Sequence, residues 1–216
     1  MTHEHSHAPS DFFSKEFWDD RYATSDRVWS GQPNPHLVTT VADLPNGCAL
    51  EIGSGEGADA IWLAGQGWTV KALDLSQVAL DKSAAHARSL DNGIAERITW
   101  EQADLFEWEA EEQSYDLVTA QFMHLPKPAI FELQRKLAAS VAPRGTLLIV
   151  GHHPDDARHS AEGTEFPDIR YTAEEVAALL EPEEWTIATT TFTRDWINQE
   201  GEPAVAQDAV LRAIRG

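Results

Sequence analysis

Apolar and polar positions vary along the chain in a pattern that predicts β-strands alternating with α-helices. Short apolar runs bounded by glycine or polar residues are typical of strands that are buried on both faces of a sheet. Helical segments follow the first, second and fourth predicted strands, and this alternation favours a parallel sheet with helices on both faces. The last two follow each other without a helix, so we expect an antiparallel hairpin. The predicted strands span residues 48–52, 68–73, 97–102, 115–120, 145–150, 185–192 and 207–214.

The predicted helices combine apolar stripes with capping residues at their starts. Ser10 and Ser76 are predicted N-caps, because a hydroxyl oxygen can accept from a free backbone N–H of the first turn. Thr172 and Glu175 have the spacing of a capping box, and Pro182 limits the helix that follows them. The other predicted helices span about residues 10–22, 35–42, 58–66, 76–90 and 130–141.

Length and charge restrict the possible partners. The chain has 216 residues, which suits one domain with a short arm. It has 16 basic and 36 acidic side chains, for a net charge of −20. Nucleic acids and anionic membranes are therefore expected to be poor partners, because binding phosphates requires clustered Lys and Arg.

The single cysteine, Cys48, excludes an intrachain disulfide and a zinc site built on cysteines. No run of 18 apolar residues is present, and residues 1–10 do not resemble a secretory signal. We therefore predict a cytoplasmic location. Histidines cluster at His3, His5 and His7 and again after strand five, but a solvated tail and a polar loop explain them better, so no metal site is predicted.

A glycine-rich loop, Glu51–Gly57, follows the first predicted strand and opens a helix. Glycines there allow a tight turn and the close approach of a ligand to the backbone. Asp74 ends strand two, 21 residues after Gly53, where an acid can bind a ribose. The loop by itself fits a dinucleotide or S-adenosylmethionine. The carboxylate of Glu51 favours a cationic amino-acid moiety and opposes a pyrophosphate.

Five segments together resemble the class I S-adenosylmethionine-dependent methyltransferases. The resemblance implies a Rossmann-like three-layer α/β sandwich with seven mostly parallel strands in the order 3-2-1-4-5-7-6, strand seven being antiparallel. The match covers roughly residues 45–215, so we expect the methyltransferase domain at 46–216 and a helical arm or lid at 11–45; the polar residues 1–10 are expected to form a flexible tail. The segments that resemble the family are Glu51–Gly57, Ala72–Ser76, Gln102–Leu105, Tyr115–Val118 and Val141–Val150.

The arm resembles a narrower, small-molecule branch that contains the thiopurine and tellurite-resistance methyltransferases. The resemblance rests on Phe17–Tyr22 and Trp29–Asn34. Tyr22 and Trp29 could close over the site, or they could simply attach the arm to the sheet.

The resemblance assigns a role to each matching position. Asp74 is expected to accept from the ribose hydroxyls, Leu75 to pack on the adenine and Asp104 to face the adenine amino group. The three residues of the Gly53–Gly55 turn and Gln121 are expected at the methionine end. The full predicted cofactor-binding set is Trp29, Glu51, Gly53, Ser54, Gly55, Asp74, Leu75, Ala103, Asp104, Leu105 and Gln121.

Methyl transfer requires an aligned nucleophile, and a neutral acceptor can also require a base. His124, just past strand four, is the candidate base, since imidazole exchanges protons near neutral pH; ordering its own loop is the alternative. The predicted substrate contacts are Tyr22, Trp29, His124 and His152.

We therefore predict methyl transfer from S-adenosylmethionine to a small molecule, with S-adenosylhomocysteine as the product. The resemblance of the arm suggests a thiol or another soft nucleophile as the acceptor. Two alternatives stay open: a non-catalytic sensor of S-adenosylmethionine or S-adenosylhomocysteine, and an NAD(P)-dependent reductase.

Overall fold

A computed structural model of the chain describes residues 14–90, 93–123, 125–156, 169–197 and 202–216. One sheet of seven strands has the order β3-β2-β1-β4-β5-β7-β6. The pairings among β1 to β5 are parallel, and β7 is antiparallel to both β5 and β6. This confirms the predicted fold class and strand order. The strands are β1 (Cys48–Ile52), β2 (Thr69–Asp74), β3 (Ile98–Gln102), β4 (Tyr115–Gln121), β5 (Val141–His152), β6 (Trp185–Ile197) and β7 (Pro203–Arg215).

Six α-helices lie in the described ranges. Ser76 caps α4 as predicted, and Thr172 and Glu175 form the predicted capping box at α6. The first helix is capped by Ser14, whose side chain accepts from the N–H of Phe17; the predicted cap, Ser10, lies outside the described residues. The helices are α1 (Lys15–Ala23), α2 (Pro35–Val41), α3 (Ala58–Gly65), α4 (Gln77–Ser89), α5 (Ala129–Ser140) and α6 (Ala173–Ala177).

The core has two layers because side chains of a strand alternate between the faces of the sheet. On β5, Leu147 and Ile149 pack with α5 and α6, whereas Leu148 and Val150 pack with α2 and α3 on the other face. All four are buried. The continuous apolar runs of the sequence therefore correspond to strands covered on both sides.

Three strands have bounds that differ from the prediction. β5 begins at Val141 rather than at 145, because Val141 pairs with Tyr115 before the register of the β4–β5 ladder shifts. The hairpin strands β6 and β7 are longer than predicted and stay paired from Trp185–Arg215 to Ile197–Pro203. α6 ends at Ala177, before Pro182, as predicted.

The described part of the arm is attached to the domain by polar contacts. The Ser76 hydroxyl donates to the carboxylate of Asp19 (2.6 Å), and Lys82 Nζ donates to the carbonyl oxygens of Tyr22 (2.5 Å) and Ser25 (2.6 Å). The first helix is thereby fixed beside α4. None of the helices in the described ranges has the length and hydropathy needed to cross a membrane.

A substitution at Val118 tests whether β4 lies at the centre of the hydrophobic core. Val118 pairs with Leu50 and Leu147 inside the core, whereas Val205 on β7 is 44% exposed. Val118→Ala is expected to lower the free energy of unfolding by about 2 kcal/mol, from lost burial and the cavity left behind. The substitution Val205→Ala is expected to lower the free energy of unfolding by less than about 0.5 kcal/mol. Urea denaturation measures both, and equal losses would contradict the layered core.

Candidate functional site

A cavity of about 770 Å³ opens at the carboxyl ends of β1 and β4. The strand order reverses between these two neighbours, and open α/β sheets bind ligands at such a point. The glycine-rich loop between β1 and α3 forms one wall of the cavity, and the arm forms another. The volume is ample for a small-molecule ligand.

The loop turns tightly against the end of β2. The N–H groups of Gly53 and Ser54 both donate to the carbonyl oxygen of Leu73 (2.8 and 3.0 Å). Gly53 has a φ of +69°, and a Cβ there would lie 2.2 Å from Sδ of Met123. The glycine is thus required both for the backbone conformation and for the close approach of Met123.

Asp74 is fixed at the end of β2 by backbone donors. Its Oδ2 accepts from the N–H of Gly55 (2.7 Å), and its Oδ1 accepts from the N–H of Ser76 (2.8 Å). Burial raises the pKa of this carboxyl, and the backbone donors oppose the rise. Each oxygen keeps a second lone pair that can accept from a ligand hydroxyl.

Asp74 belongs to a cluster of three buried carboxylates that also contains Glu51 and Asp59. Burial raises the pKa of Glu51 well above its ordinary value, and the charges of the other two raise it further. Burial also raises the pKa of Asp59 to about 6, although Asp59 accepts from the N–H of Asn34 (2.6 Å). None of the three forms an ion pair with another described residue. The cavity wall is therefore complementary to a cation.

The arm contacts the glycine-rich loop directly. Glu56 accepts from the N–H groups of Val28 and Trp29 at 3.0–3.1 Å. The indole of Trp29 donates to the Tyr22 hydroxyl (3.0 Å). That hydroxyl lies so close to Gly55 that a Cβ at this glycine would be 2.9 Å from it. Burial, with a further contribution from Asp74, raises the pKa of Tyr22. The two aromatic residues predicted on the arm therefore stand over the loop.

The opposite end of the cavity contains side chains that the sequence analysis did not single out. His36 lies edge-on to Phe192, with ring centroids 4.9 Å apart, and its Nε2 is 3.5 Å from Oδ2 of Asp208. Arg194 also donates to Asp208 (3.3 and 3.4 Å). These residues come from α2, β6 and β7. Because these elements are far apart in the sequence, no local sequence pattern indicates that the side chains meet.

Twelve of the predicted site residues line this cavity together. Two of them offer buried oxygens, Oγ of Ser54 and Oε1 of Gln121, that have no hydrogen-bond partner among the described residues. Asp104 accepts from the N–H of Phe106 (3.0 Å) within its own turn. The twelve are Tyr22, Trp29, Glu51, Gly53, Ser54, Gly55, Asp74, Leu75, Asp104, Leu105, Gln121 and His152.

Two predicted residues are not placed in the cavity. Ala103 packs on the core, and its N–H donates to the carbonyl oxygen of Asp74 (3.0 Å), so it supports the site from behind. His124 lies outside the described residues. Within the described ranges, no group of three or more His, Cys, Asp or Glu is arranged to hold a metal ion; His3, His5 and His7 are not among these residues.

Comparison with known proteins supports the family resemblance. A protein-family model described as a methyltransferase domain matches residues 49–145, from β1 through the start of β5. These residues include the loop, Asp74 and both strands at the mouth of the cavity. The matched domain and the strand order support a class I S-adenosylmethionine-dependent methyltransferase.

Individual relatives agree with this assignment. The chain is 34% identical over 105 residues to the probable thiol methyltransferase 2 of Arabidopsis thaliana, an alignment that covers 47% of this chain and 45% of the relative. The aligned region spans about half the length of the curated relatives that the chain matches.

Solved structures share the fold. A protein studied in the conversion of a disulfide bond into a thioacetal group during echinomycin biosynthesis superposes with a TM-score of 0.72 and 22% identity, over 93% of this chain and 92% of that one. Magnesium protoporphyrin IX methyltransferase (ChlM) from Synechocystis PCC 6803, solved with bound SAH, superposes with a TM-score of 0.65 and 20% identity, over 96% of this chain and 98% of that one. At these identities the likeness concerns the fold alone.

The pH dependence of folding stability tests whether burial penalises the charge of Asp59 in the carboxylate cluster. The pKa of Asp59 rises on folding from 3.8 to about 6, so the folded protein binds this proton more tightly than the unfolded chain. Stability is therefore expected to fall as pH rises from about 4 to about 6. Asp59→Asn keeps an acceptor for Asn34, and it is expected to raise the free energy of unfolding at pH 8 by about 2 kcal/mol.

The matched control is Asp43→Asn, the same change at an exposed position, which is expected to alter stability by less than about 0.5 kcal/mol. Urea titrations at pH 5 and pH 8 give both quantities. A destabilised Asp59→Asn protein, or an unchanged pH dependence, would show that burial does not penalise this carboxylate.

Proposed function

We propose that the chain transfers a methyl group from S-adenosylmethionine to a small molecule that bears a thiol or another soft nucleophile. The observation that carries the proposal is the cluster of Glu51, Asp59 and Asp74 beside the glycine-rich loop. Its three carboxylates are buried without an ion pair among the described residues, and Oε2 of Glu51 has no hydrogen-bond partner there.

The charge of the cavity favours S-adenosylmethionine over a dinucleotide. S-adenosylmethionine carries an ammonium and a sulfonium, whose positive charge stabilises ionised carboxylates nearby. The pyrophosphate of NAD(P) would instead add negative charge beside Glu51 and Asp74. The residues present therefore fit S-adenosylmethionine, with Asp74 beside the ribose and Glu51, Ser54 and Gln121 toward the methionine part.

The protein's contribution to the reaction is binding and orientation. S-adenosylmethionine supplies the activated methyl group, and a soft nucleophile displaces its sulfur in one step. The Gly53–Gly55 turn and Asp74 hold the donor, and the remaining space in the cavity admits the acceptor. Tyr22 and Trp29 lie over the loop and exclude water from it, which we propose is the function of the arm.

The choice of a small thiol is supported by two observations. The relative in Arabidopsis thaliana is described as a probable thiol methyltransferase. Aromatic rings also line the mouth of the cavity, with Trp29 44% exposed and Phe192 45% exposed, and such rings suit an acceptor with an apolar body. The net charge of −20 disfavours a nucleic acid acceptor.

The direct test incubates the purified protein with S-adenosylmethionine and separate panels of thiols, selenite and tellurite, phenols and amines. Formation of S-adenosylhomocysteine is measured against a reaction without acceptor. We expect turnover with thiols that exceeds turnover with amines. Micromolar binding of S-adenosylmethionine without turnover in any panel would favour a sensor, and preferential binding of NAD(H) would favour a reductase.

Asp74→Ala tests the ribose assignment. The change removes both carboxylate oxygens, so affinity for S-adenosylmethionine is expected to fall at least about tenfold, or about 1.4 kcal/mol. Calorimetry measures the affinity, and circular dichroism checks that the variant is folded. Asp43→Ala on the exposed surface serves as the control. An Asp74→Ala affinity within about twofold of the wild type would refute the assignment.

A further inference from the structure

A buried histidine in the wall of the cavity, His152, is paired with a buried aspartate, Asp156, that does not itself line the cavity. His152 ends β5, and Asp156 follows four residues later. Nδ1 of His152 is 3.0 Å from Oδ2 of Asp156, and both side chains are buried. The other oxygen of Asp156 accepts from the N–H of Gln207 on β7 (3.3 Å). The carboxylate is thereby held in place by a neighbouring strand.

This arrangement determines which ring nitrogen of His152 can accept a proton. When a carboxylate accepts from Nδ1–H, the neutral ring has its lone pair on Nε2. The same carboxylate then stabilises the imidazolium that forms when Nε2 is protonated. A His–Asp pair of this geometry is suited to take a proton from a group in the cavity.

The pair lies on the side of the cavity where the donor methyl group is expected. Val150 pairs with Gln121 across the β4–β5 ladder, so His152 extends beyond the end of β4. The ring of Phe122 lies 4.8 Å from the ring of His152. The next residue, Met123, lies against Gly53 of the glycine-rich loop. A continuous set of contacts therefore joins the methionine end of the site to His152.

Other ionisable groups near His152 are already engaged. Asp208 stands directly across the β5–β7 ladder from His152, and its carboxylate accepts from Arg194 and lies near His36. Tyr171 donates its backbone N–H to the carbonyl oxygen of His152 (3.1 Å), while burial raises the pKa of its hydroxyl. Asp156 is the carboxylate whose Oδ2 lies within hydrogen-bond distance of Nδ1 of His152.

We propose that His152, oriented by Asp156, is the general base that removes the proton from the acceptor, and that the acceptor enters the site as a neutral, protonated thiol. The inference rests on the proposed function and deepens it. The thiol proton moves to Nε2 of His152 as the sulfur bonds to the methyl carbon. The bond between that carbon and the donor sulfur breaks, its electron pair stays on S-adenosylhomocysteine, and His152 then returns the proton to water.

The test compares two probe thiols that differ in whether they have a proton to lose. At pH 7, 2-mercaptoethanol is protonated and 4-nitrothiophenol is ionised. His152→Gln is expected to lower kcat/KM about 100-fold or more for 2-mercaptoethanol, which is the usual contribution of a general base. For 4-nitrothiophenol the expected loss is less than about fivefold, since no proton transfer is required. Asp156→Asn, which removes the orienting charge, is expected to show the same selectivity with a smaller loss.

His86→Gln provides the matched control, because His86 is exposed and lies outside this cavity. It is expected to leave both rates unchanged. Calorimetry is expected to show that His152→Gln still binds S-adenosylmethionine. A second readout does not require turnover: nitrogen-15 NMR of the histidine rings is expected to show His152 as the Nδ1–H tautomer in the wild type, with that preference reduced in Asp156→Asn.

Several results would overturn the inference while leaving methyl transfer intact. Equal losses with both thiols would indicate a structural role for His152. A selective loss in His124→Gln, with none in His152→Gln, would assign the proton transfer to His124. An Nε2–H tautomer in the wild type would contradict the orientation by Asp156. A wild-type protein that binds S-adenosylmethionine but methylates neither thiol would instead refute the thiol acceptor of the proposed function.

Discussion

The burial of three carboxylates around one glycine-rich loop is the constraint on which the site depends. Glu51, Asp59 and Asp74 each lose hydration on folding, and negative charge among them raises the free energy of the folded state. Backbone N–H groups offset part of this cost at Asp74 and Asp59. A cationic ligand would offset more, so the stability of the loop and its binding chemistry have the same physical origin.

The same loop also holds the arm. Glu56 binds the backbone of Val28 and Trp29, and Asp59 binds the backbone of Asn34. Glu56 of the loop and Asp59 in the first turn of α3 therefore line the cavity and also hold the arm. A change in the charge of Asp59 acts on both, which couples the arm to the state of the cavity.

The sheet could be predicted from the sequence because its strands are local apolar runs, such as Cys48–Ile52, and β1, β2 and β4 are each followed by a helix. The glycines and Asp74 could be placed for the same reason, since they lie in one continuous unit of strand, loop, helix and strand from β1 to β2. The boundaries of β5 and the hairpin could not, because the pairing of Val141 with Tyr115 depends on a strand distant in the sequence.

The end of the cavity opposite the glycine-rich loop could not be predicted from local sequence patterns either. His36, Arg194 and Asp208 come from three separate elements and meet only after the hairpin pairs with β5. The sequence predicts His152 as a substrate contact, but it does not single out Asp156 as the partner of the His152 ring. The His–Asp spacing of four residues was a usable signal, because a turn after a strand can bring such side chains together.

Calorimetric titration of S-adenosylmethionine at pH 6, in two buffers of different ionisation enthalpy, tests the central claim most directly. A cation near Glu51 and Asp59 lowers their raised pKa values, so binding is expected to release protons to the buffer. NAD⁺ is expected not to compete. Proton uptake on binding, or tighter binding of NAD⁺ than of S-adenosylmethionine, would contradict a cavity built for a cationic methyl donor.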